Sequence, residues 1–403
     1  MQTVNFGGVD VNLFLPINEI ESGALDQIKA TSLHPYAAKH VAVMPDTHQG
    51  YGVAIGTVLV TKGAVIPNAV GVDIGCGVRT IKTNVSIHDL RHEDWHNIER
   101  DVRANVPVGF KMRSDASSSF DDWYGYEGGE DVMQYARHPD RVALQMGTLG
   151  GGNHFLEYAY EADGTIWVLV HSGSRGIGHT IAEHFQGAAI LEAVPGCPRD
   201  LEPLIWGTEL AHGYFNAHNI ACAYAEISRH DMAQHMINAL SSAAGEVDTM
   251  DLVWDCPHNV ANMSDDLGGL YEEDGEGRFI TDLVVHRKGA TFADENWMVP
   301  IPGSMGTASY ICLGKGNREA LQSAAHGAGR AMSRSKAKKN LSMEDYEFAL
   351  RGTYSHASEG TLDEAPMAYK DIDVVLGRLS ECVEVQTVLH PILTIKGGGR
   401  DEG

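Results

Sequence analysis

The chain has 403 residues, 43% of them hydrophobic and 21% charged, a globular composition with ample length for a large core, and no apolar run reaches the ~18 residues a membrane span needs. The formal charge of −24 excludes attraction of nucleic acid by a general basic field, so any phosphate substrate has to be held locally by placed cations or metal ions.

Met1-Gln2-Thr3-Val4-Asn5 lacks the basic and apolar regions of a signal peptide, and the expectation is a soluble, cytoplasmic protein. In chain order, a helix is predicted over 20–33, then strands over 40–44 and 53–61. The glycine-rich turn Gly71-Val72-Asp73-Ile74-Gly75-Cys76-Gly77 leads into a strand over 78–83. A helix over 87–106 carries Leu90, Trp95, Ile98, Val102 and Val106 on one stripe. It also contains His92-Glu93-Asp94-Trp95-His96, an H-E-x-x-H match to zinc proteases. Trp95, and neither histidine, continues the apolar stripe, so this motif reads as an exposed helix face.

Residues 113–130, rich in Ser, Gly and acid, read as a loop. After Gly150-Gly151-Gly152 come Asn153-His154 and strands over 154–160 and 165–171, joined by an Ala162-Asp163-Gly164 hairpin turn. The second strand ends in His171 and opens into Ser172-Gly173-Ser174-Arg175-Gly176. Helices are predicted over 177–192 and 214–244. A strand over 250–255 runs into Asp255-Cys256-Pro257-His258-Asn259, where Pro257 stops the strand. A second loop is expected over 264–277, then strands over 282–286 and 308–313. A helix over 318–332 is expected to carry Ala325-His326-Gly327-Ala328-Gly329-Arg330, ahead of the basic run 333–339. A helix over 342–350 opens with Ser342 and Asp345 at capping-box spacing, and a strand follows over 383–395. Strands and helices mix without a βαβ rhythm, which points to an α+β fold.

The six cysteines form no C-x-x-C pair and are too sparse for a disulfide scaffold. Cys76, however, stands three residues from Asp73 in a glycine turn, where thiolate and carboxylate can face one transition ion. Singly, His154, His171 and His258 read most simply as strand-end histidines. Together with Asp73 and Cys76 they make five potential ligands, and a bridging thiolate lets such a set hold two ions that clamp a transferring phosphoryl group. By ligand type Zn²⁺ suits this set as well as Mn²⁺. His326 is a competent nucleophile toward phosphorus, with Arg330 and the neighbouring glycines placed for phosphate oxygens. The basic run after it is either a solvated helix face or an RNA-phosphate contact.

Taken together, these segments resemble the RtcB family of RNA-splicing ligases. The stretches that carry the likeness are VMPDTHQG (43–50), TKGAVIPNAVGVDIGCG (61–77), GTLGGGNHFLE (147–157), HSGSRGIG (171–178), HN (258–259), RKGA (287–290), IPGSMG (301–306), HGAGR with SRSKAKK (326–339), DEAPMAYKDID (363–373) and IKG (395–397). The resemblance implies one α+β catalytic domain over 1–403, of a fold peculiar to the family, around a central metal cleft. It implies a ligase that joins RNA 3′-phosphate or 2′,3′-cyclic phosphate ends to 5′-hydroxyl ends. GTP is the implied co-substrate, with two Mn²⁺ and a guanylyl group carried on His326. Cys76 would bridge the ions, Asp73 and His154 completing one site and His171 and His258 the other. Asn153, Phe155, Glu157, Ser304, Ser309, Ala328, Tyr369 and Lys396 match positions around the guanylate, and an archease-type activator is an implied partner. Competing readings are a metal-dependent phosphoesterase or nuclease, a non-catalytic RNA-end binder, and the H-E-x-x-H protease. Thr47, Gln49 and Pro257 depart from the family pattern and leave every expected ligand in place.

Overall fold

Residue alternation along the strands explains how the layers stack. The computed structural model describes residues 1–263 and 282–398; the loop expected over 264–277 lies outside them. In chain order the strands are β1 (Gln2–Asn5), β2 (Asp10–Leu13), β3 (Ala37–His48), β4 (Ile55–Lys62), β5 (Ala64–Val65), β6 (Gly77–Ser86), β7 (Phe155–Tyr160), β8 (Thr165–Ser172), β9 (Leu204–Ile205), β10 (Thr249–Pro257), β11 (Asn259–Met263), β12 (Leu283–Lys288), β13 (Ala290–Phe292), β14 (Met298–Ile301), β15 (Ser309–Gly314), β16 (Ser323–Ala325) and β17 (Val383–Ile395). The helices are α1 (Ser22–Ser32), α2 (Pro67–Val70), α3 (His92–Asn105), α4 (Ser118–Tyr126), α5 (Gly129–Val132), α6 (Pro139–Gln145), α7 (Arg175–Glu192), α8 (Glu209–Ala244), α9 (Arg334–Asn340), α10 (Met343–Ala349) and α11 (Ile372–Arg378). The fold is α+β, and among the described residues no helix is long and apolar enough to cross a membrane.

One sheet has the order β1-β2-β3-β4-β12-β11, with β2 and β3 its only parallel neighbours. Val41 and Val43 of β3 face one apolar cluster with Ile28 of α1, while Ala42 and Met44 face another with Ile372 and Val375 of α11, as the two-residue period of a strand requires. A second large sheet is antiparallel throughout, in the order β10-β6-β8-β7-β17-β15-β14, and β13-β16 and β5-β9 form two small pairs. On β8, Ile166, Val168 and Val170 pack with Trp95 of α3 and Met232 of α8. The same alternation turns Trp167, Leu169 and His171 to the opposite face, with Phe155 and Glu157 of the paired strand β7.

Each strand predicted from the sequence within the described residues is present, and Gly164 forms the 161–165 turn at φ +90°. Ser342 caps α10, accepting the Asp345 N–H at 3.1 Å. Two expectations are corrected. Residues 113–130 contain α4 and the start of α5, because Trp123 is fully buried and its Nε1–H donates to the Ile220 carbonyl of α8 at 2.9 Å. The helix expected over 318–332 is a single 3-10 turn (Arg318–Ala320), then β16, then an irregular turn carrying His326. Leu321 and Gln322 adopt left-handed φ, and Ser323–Ala325 pairs with β13, so the backbone hydrogen bonds there run across strands.

Candidate active site

Strand pairing gathers the five candidate ligands at one end of the second sheet. Asp73 and Cys76 occupy the turn between α2 and β6. Gly77 lies opposite both Ser172 of β8 and Pro257 of β10, so Cys76, His171 and His258 sit side by side. The His258 N–H donates to the Cys76 carbonyl at 2.8 Å. Cys76 Sγ is 3.4 Å from His154 Nε2 and 3.3 Å from His171 Nε2. His154 Nε2 is 3.0 Å from Asp73 Oδ2, and the Nε2 atoms of His171 and His258 are 3.3 Å apart. The donors form two triads, Asp73/Cys76/His154 and Cys76/His171/His258, whose ligand atoms lie within 4.8 Å of one another. Cys76 belongs to both.

This donor set fits transition-metal ions. His154 Nδ1 lies 2.9 Å from the Leu149 carbonyl; donation of a proton there leaves the Nε2 lone pair toward the cluster, the outer hydrogen bond usual for a ligating histidine. Burial pushes His171 and His258 well below the ordinary imidazole range, and neighbouring imidazoles push the same way, so both are neutral donors. Burial opposes ionisation of Asp73, but His154, the Cys76 thiol and the Arg175 charge together outweigh it and lower the carboxyl pKa. Burial, with Asp73 beside it, pushes the Cys76 thiol well up; cation coordination reverses that tendency, because a ligating thiol deprotonates. The turn itself is braced by a residue the sequence did not single out. Arg229 of α8, buried, donates to the carbonyls of Gly75 (2.7 Å) and Ser172 (2.8 Å) and is paired with Asp255. A side chain at Gly173 would put its Cβ 2.1 Å from Asp73 Oδ1, which is why the turn after His171 is glycine.

His326 stands beside this cluster, its ring centroid 4.6 Å from that of His258. Its Nδ1 lies 2.7 Å from Oδ2 of Asp46, a fully buried carboxylate on β3. An Nδ1–H donated to Asp46 leaves Nε2 as the nitrogen with a free lone pair. Asp46 was also missed from the sequence; its only signal was an acid within the apolar strand of the 43–50 segment.

A cavity of about 590 Å³ opens next to His326 and His171. Asn153, Phe155, Glu157, Ser304, Ser309, Ala328, Tyr369 and Lys396 all line it. Ser309 Oγ and Thr394 Oγ1 donate to the two Glu157 oxygens at 3.0 and 2.9 Å. Burial nevertheless pushes Glu157 up to about 7. Lys396 Nζ lies 2.8 Å from Glu364 Oε2 and over the Phe155 and Tyr369 rings. Glu364 also accepts from Arg330 (3.1 Å), Arg334 and the Tyr369 hydroxyl. Burial alone would raise Glu364, but Lys396 and Arg334 hold it down at about 2. This carboxylate hub, absent from the sequence reading, sits within the 363–373 segment. A second cavity of about 610 Å³ lies over Asp73 and His154, shares Asn153 and Arg334 with the first, and has Lys338 on its wall. His326, the five candidate metal donors and the two cavities therefore adjoin. The H-E-x-x-H residues lie elsewhere, with His92 and His96 exposed on α3 and Trp95 buried.

The family model for tRNA-splicing ligase RtcB matches residues 27–397. The chain is 36% identical to the RNA-splicing ligase RtcB of Escherichia coli K12, with 94% of this chain and 95% of that protein covered. It is 32% identical to the tRNA-splicing ligase RtcB of Thermococcus kodakarensis, covering 93% and 91%. For the tRNA-splicing ligase RtcB of Nanoarchaeum equitans the identity is 31%, covering 94% and 92%.

Proposed function

The chain belongs to the RtcB family and is an RNA ligase, and we propose that it joins RNA 3′-phosphate or 2′,3′-cyclic phosphate ends to 5′-hydroxyl ends, using GTP, two Mn²⁺ and a guanylyl group carried on His326. The observation that carries the reading is the placement of His326, held through Nδ1 by buried Asp46, between the five metal donors and the cavity lined by Phe155, Tyr369 and Lys396. Asp73, Cys76 and His154 would hold one ion, and Cys76, His171 and His258 the other. When bound, such ions neutralise phosphate oxygens that would otherwise repel a nucleophile.

His326 Nε2 attacks the α-phosphorus of GTP; the bond to the β-phosphate oxygen breaks and pyrophosphate leaves. Asp46 stabilises the positive charge that develops on the imidazole, as a carboxylate behind a reacting histidine does. An oxygen of the RNA 3′-phosphate then takes the guanylyl group from His326, which returns to neutral imidazole. The 5′-hydroxyl attacks the activated 3′-phosphorus and GMP departs. A 2′,3′-cyclic end is first opened by water to the 3′-phosphate. Asn153, Phe155, Glu157, Ser304, Ser309, Ala328, Tyr369 and Lys396 are assigned to the guanylate. Seating of the RNA 3′-phosphate goes to the cavity over Asp73 and His154, with Arg334 and Lys338 on its wall. Local cations and ions thus do what a net charge of −24 cannot. The same reading takes 1–403 as one catalytic domain acting in RNA splicing or repair in the cytoplasm, with an archease-type protein as activator.

The test is ligation of a 3′-phosphate RNA to a 5′-hydroxyl RNA with GTP and Mn²⁺. A joined product from the wild type, absent with His326→Ala, is expected. GTP-independent cleavage that survives His326→Ala would replace the proposal with a phosphoesterase or nuclease. Tight binding of 3′-phosphate ends without product would replace it with an end binder.

A further inference from the structure

Outside the candidate active site, one other group of ligating side chains converges among the described residues. His96 and Glu99 are three apart on α3 and therefore share a face. His356 reaches them from the segment between α10 and the 3-10 turn Glu359–Glu364. One ligand atom from each of the three lies within 4.8 Å of the others. His356 Nε2 is 3.1 Å from Glu99 Oε2, and the His96 and His356 rings lie nearly parallel with centroids 6.5 Å apart.

We propose that His96, Glu99 and His356 form a separate divalent transition-metal site of the Zn²⁺ class, with water in the remaining position. Two imidazoles and one carboxylate are a recurrent three-residue zinc set. Glu99 is oriented for this. Arg103 Nε donates to Oε1 at 2.8 Å, leaving Oε2 toward the histidines, and such an outer partner fixes a ligating carboxylate. The segment bearing His356 is anchored through the two residues just before it. The Tyr354 N–H donates to the Ile392 carbonyl at 2.7 Å, the Tyr354 ring stacks on Trp95 at 5.7 Å, and Ser355 Oγ accepts the Thr394 N–H at 2.8 Å. Both histidines are exposed, which leaves their rings room to turn toward the ~2.0–2.2 Å distances of a bound ion. His92 is not part of the set. It rests its ring edge-on against Tyr354 at 5.0 Å. The chain thus spells H-E-x-x-H on α3, but the converging ligands are the second histidine, a glutamate one turn on, and a histidine from far along the chain. An ion there would tie α3 to the segment that runs into Asp363 and Glu364, the acids that hold the cavity's arginines and Lys396.

The site does not depend on the ligase reading, and its test does not read ligation. Metal-stripped protein is dialysed against buffered Zn²⁺ and the ions per chain are counted for wild type, His96→Ala, His356→Ala and His92→Ala. His96→Ala and His356→Ala are each expected to retain one ion fewer than wild type, and His92→Ala the wild-type number. With Co²⁺, His356→Ala should lose one ion's share of the visible d–d absorption while keeping the near-ultraviolet thiolate band of Cys76, and Cys76→Ser should lose the thiolate band while keeping the d–d share that depends on His356. Equal counts and equal spectra in wild type and His356→Ala would overturn the proposal. So would loss of the ion in His92→Ala with retention in His356→Ala, which would assign it to the helical histidine pair.

Discussion

At the scale of single residues, the chemistry turns on which nitrogen of His326 is free. The 2.7 Å contact from Nδ1 to Asp46 sets the tautomer, and Asp46 is fully buried. Asp46→Asn keeps the shape and removes the charge that balances a developing imidazolium. We expect guanylylation of His326 to slow by about 10²–10⁴-fold, with GTP affinity little changed. Single-turnover labelling beside equilibrium GTP binding separates the two, and a wild-type labelling rate would contradict the role given to Asp46. Neither Asp46 nor Arg229 nor Glu364 could be picked out from the sequence. Each acts through partners remote in the chain, Asp46 on His326 and Glu364 on Lys396, and nothing local marks such a pairing. Strand-end histidines next to glycine turns did stand out, because apolar strands that stop at a polar ring are visible without any partner.

At the scale of elements, β strands were readable because apolar alternation and turn residues bound them, as with β7, Gly164 and β8. The segment around His326 was not readable. Its apolar and small residues satisfy a helical period, but Leu321 and Gln322 at positive φ and the pairing of β16 with β13 win over local propensity. Likewise 113–130 looked like a loop by composition, whereas burial of Trp123 against α8 organises it into α4 and the start of α5. The turn's geometry carries its own prediction. Gly329 has φ +71°, and a Cβ there would lie 2.3 Å from the Asp46 carbonyl oxygen. Gly329→Ala is therefore expected to displace the His326 turn from β3. Guanylylation should fall at least about tenfold, by the sensitivity of such steps to ~1 Å misplacement, with circular dichroism preserved. Unchanged labelling would show that the turn tolerates a side chain.

At the scale of the whole molecule, two buried carboxylates give stability opposite dependences on pH. Glu364 is lowered to about 2 in the folded protein. Its stabilisation is fully present above the unfolded value near 4.5 and is lost as pH falls from there toward 2. Glu157 is raised to about 7, so the folded state binds its proton more tightly than the unfolded chain. Stability from this group is greatest below about 4.5 and declines as pH rises toward 7. Glu157→Gln should remove that decline, which is on the order of 3 kcal/mol. Denaturant titrations from pH 4.5 to 7.5 would show it as a flatter profile than wild type. Parallel profiles would mean that Glu157 is ionised throughout.

The central claim is that His326 carries the guanylyl group, and the most direct measurement uses α-labelled GTP with Mn²⁺ on the full chain, followed by denaturation. Label is expected on the wild-type polypeptide, lost in acid and stable in base, as a phosphoramidate is, and none on His326→Ala. No label on freshly metallated wild type, or equal label on His326→Ala, would contradict it.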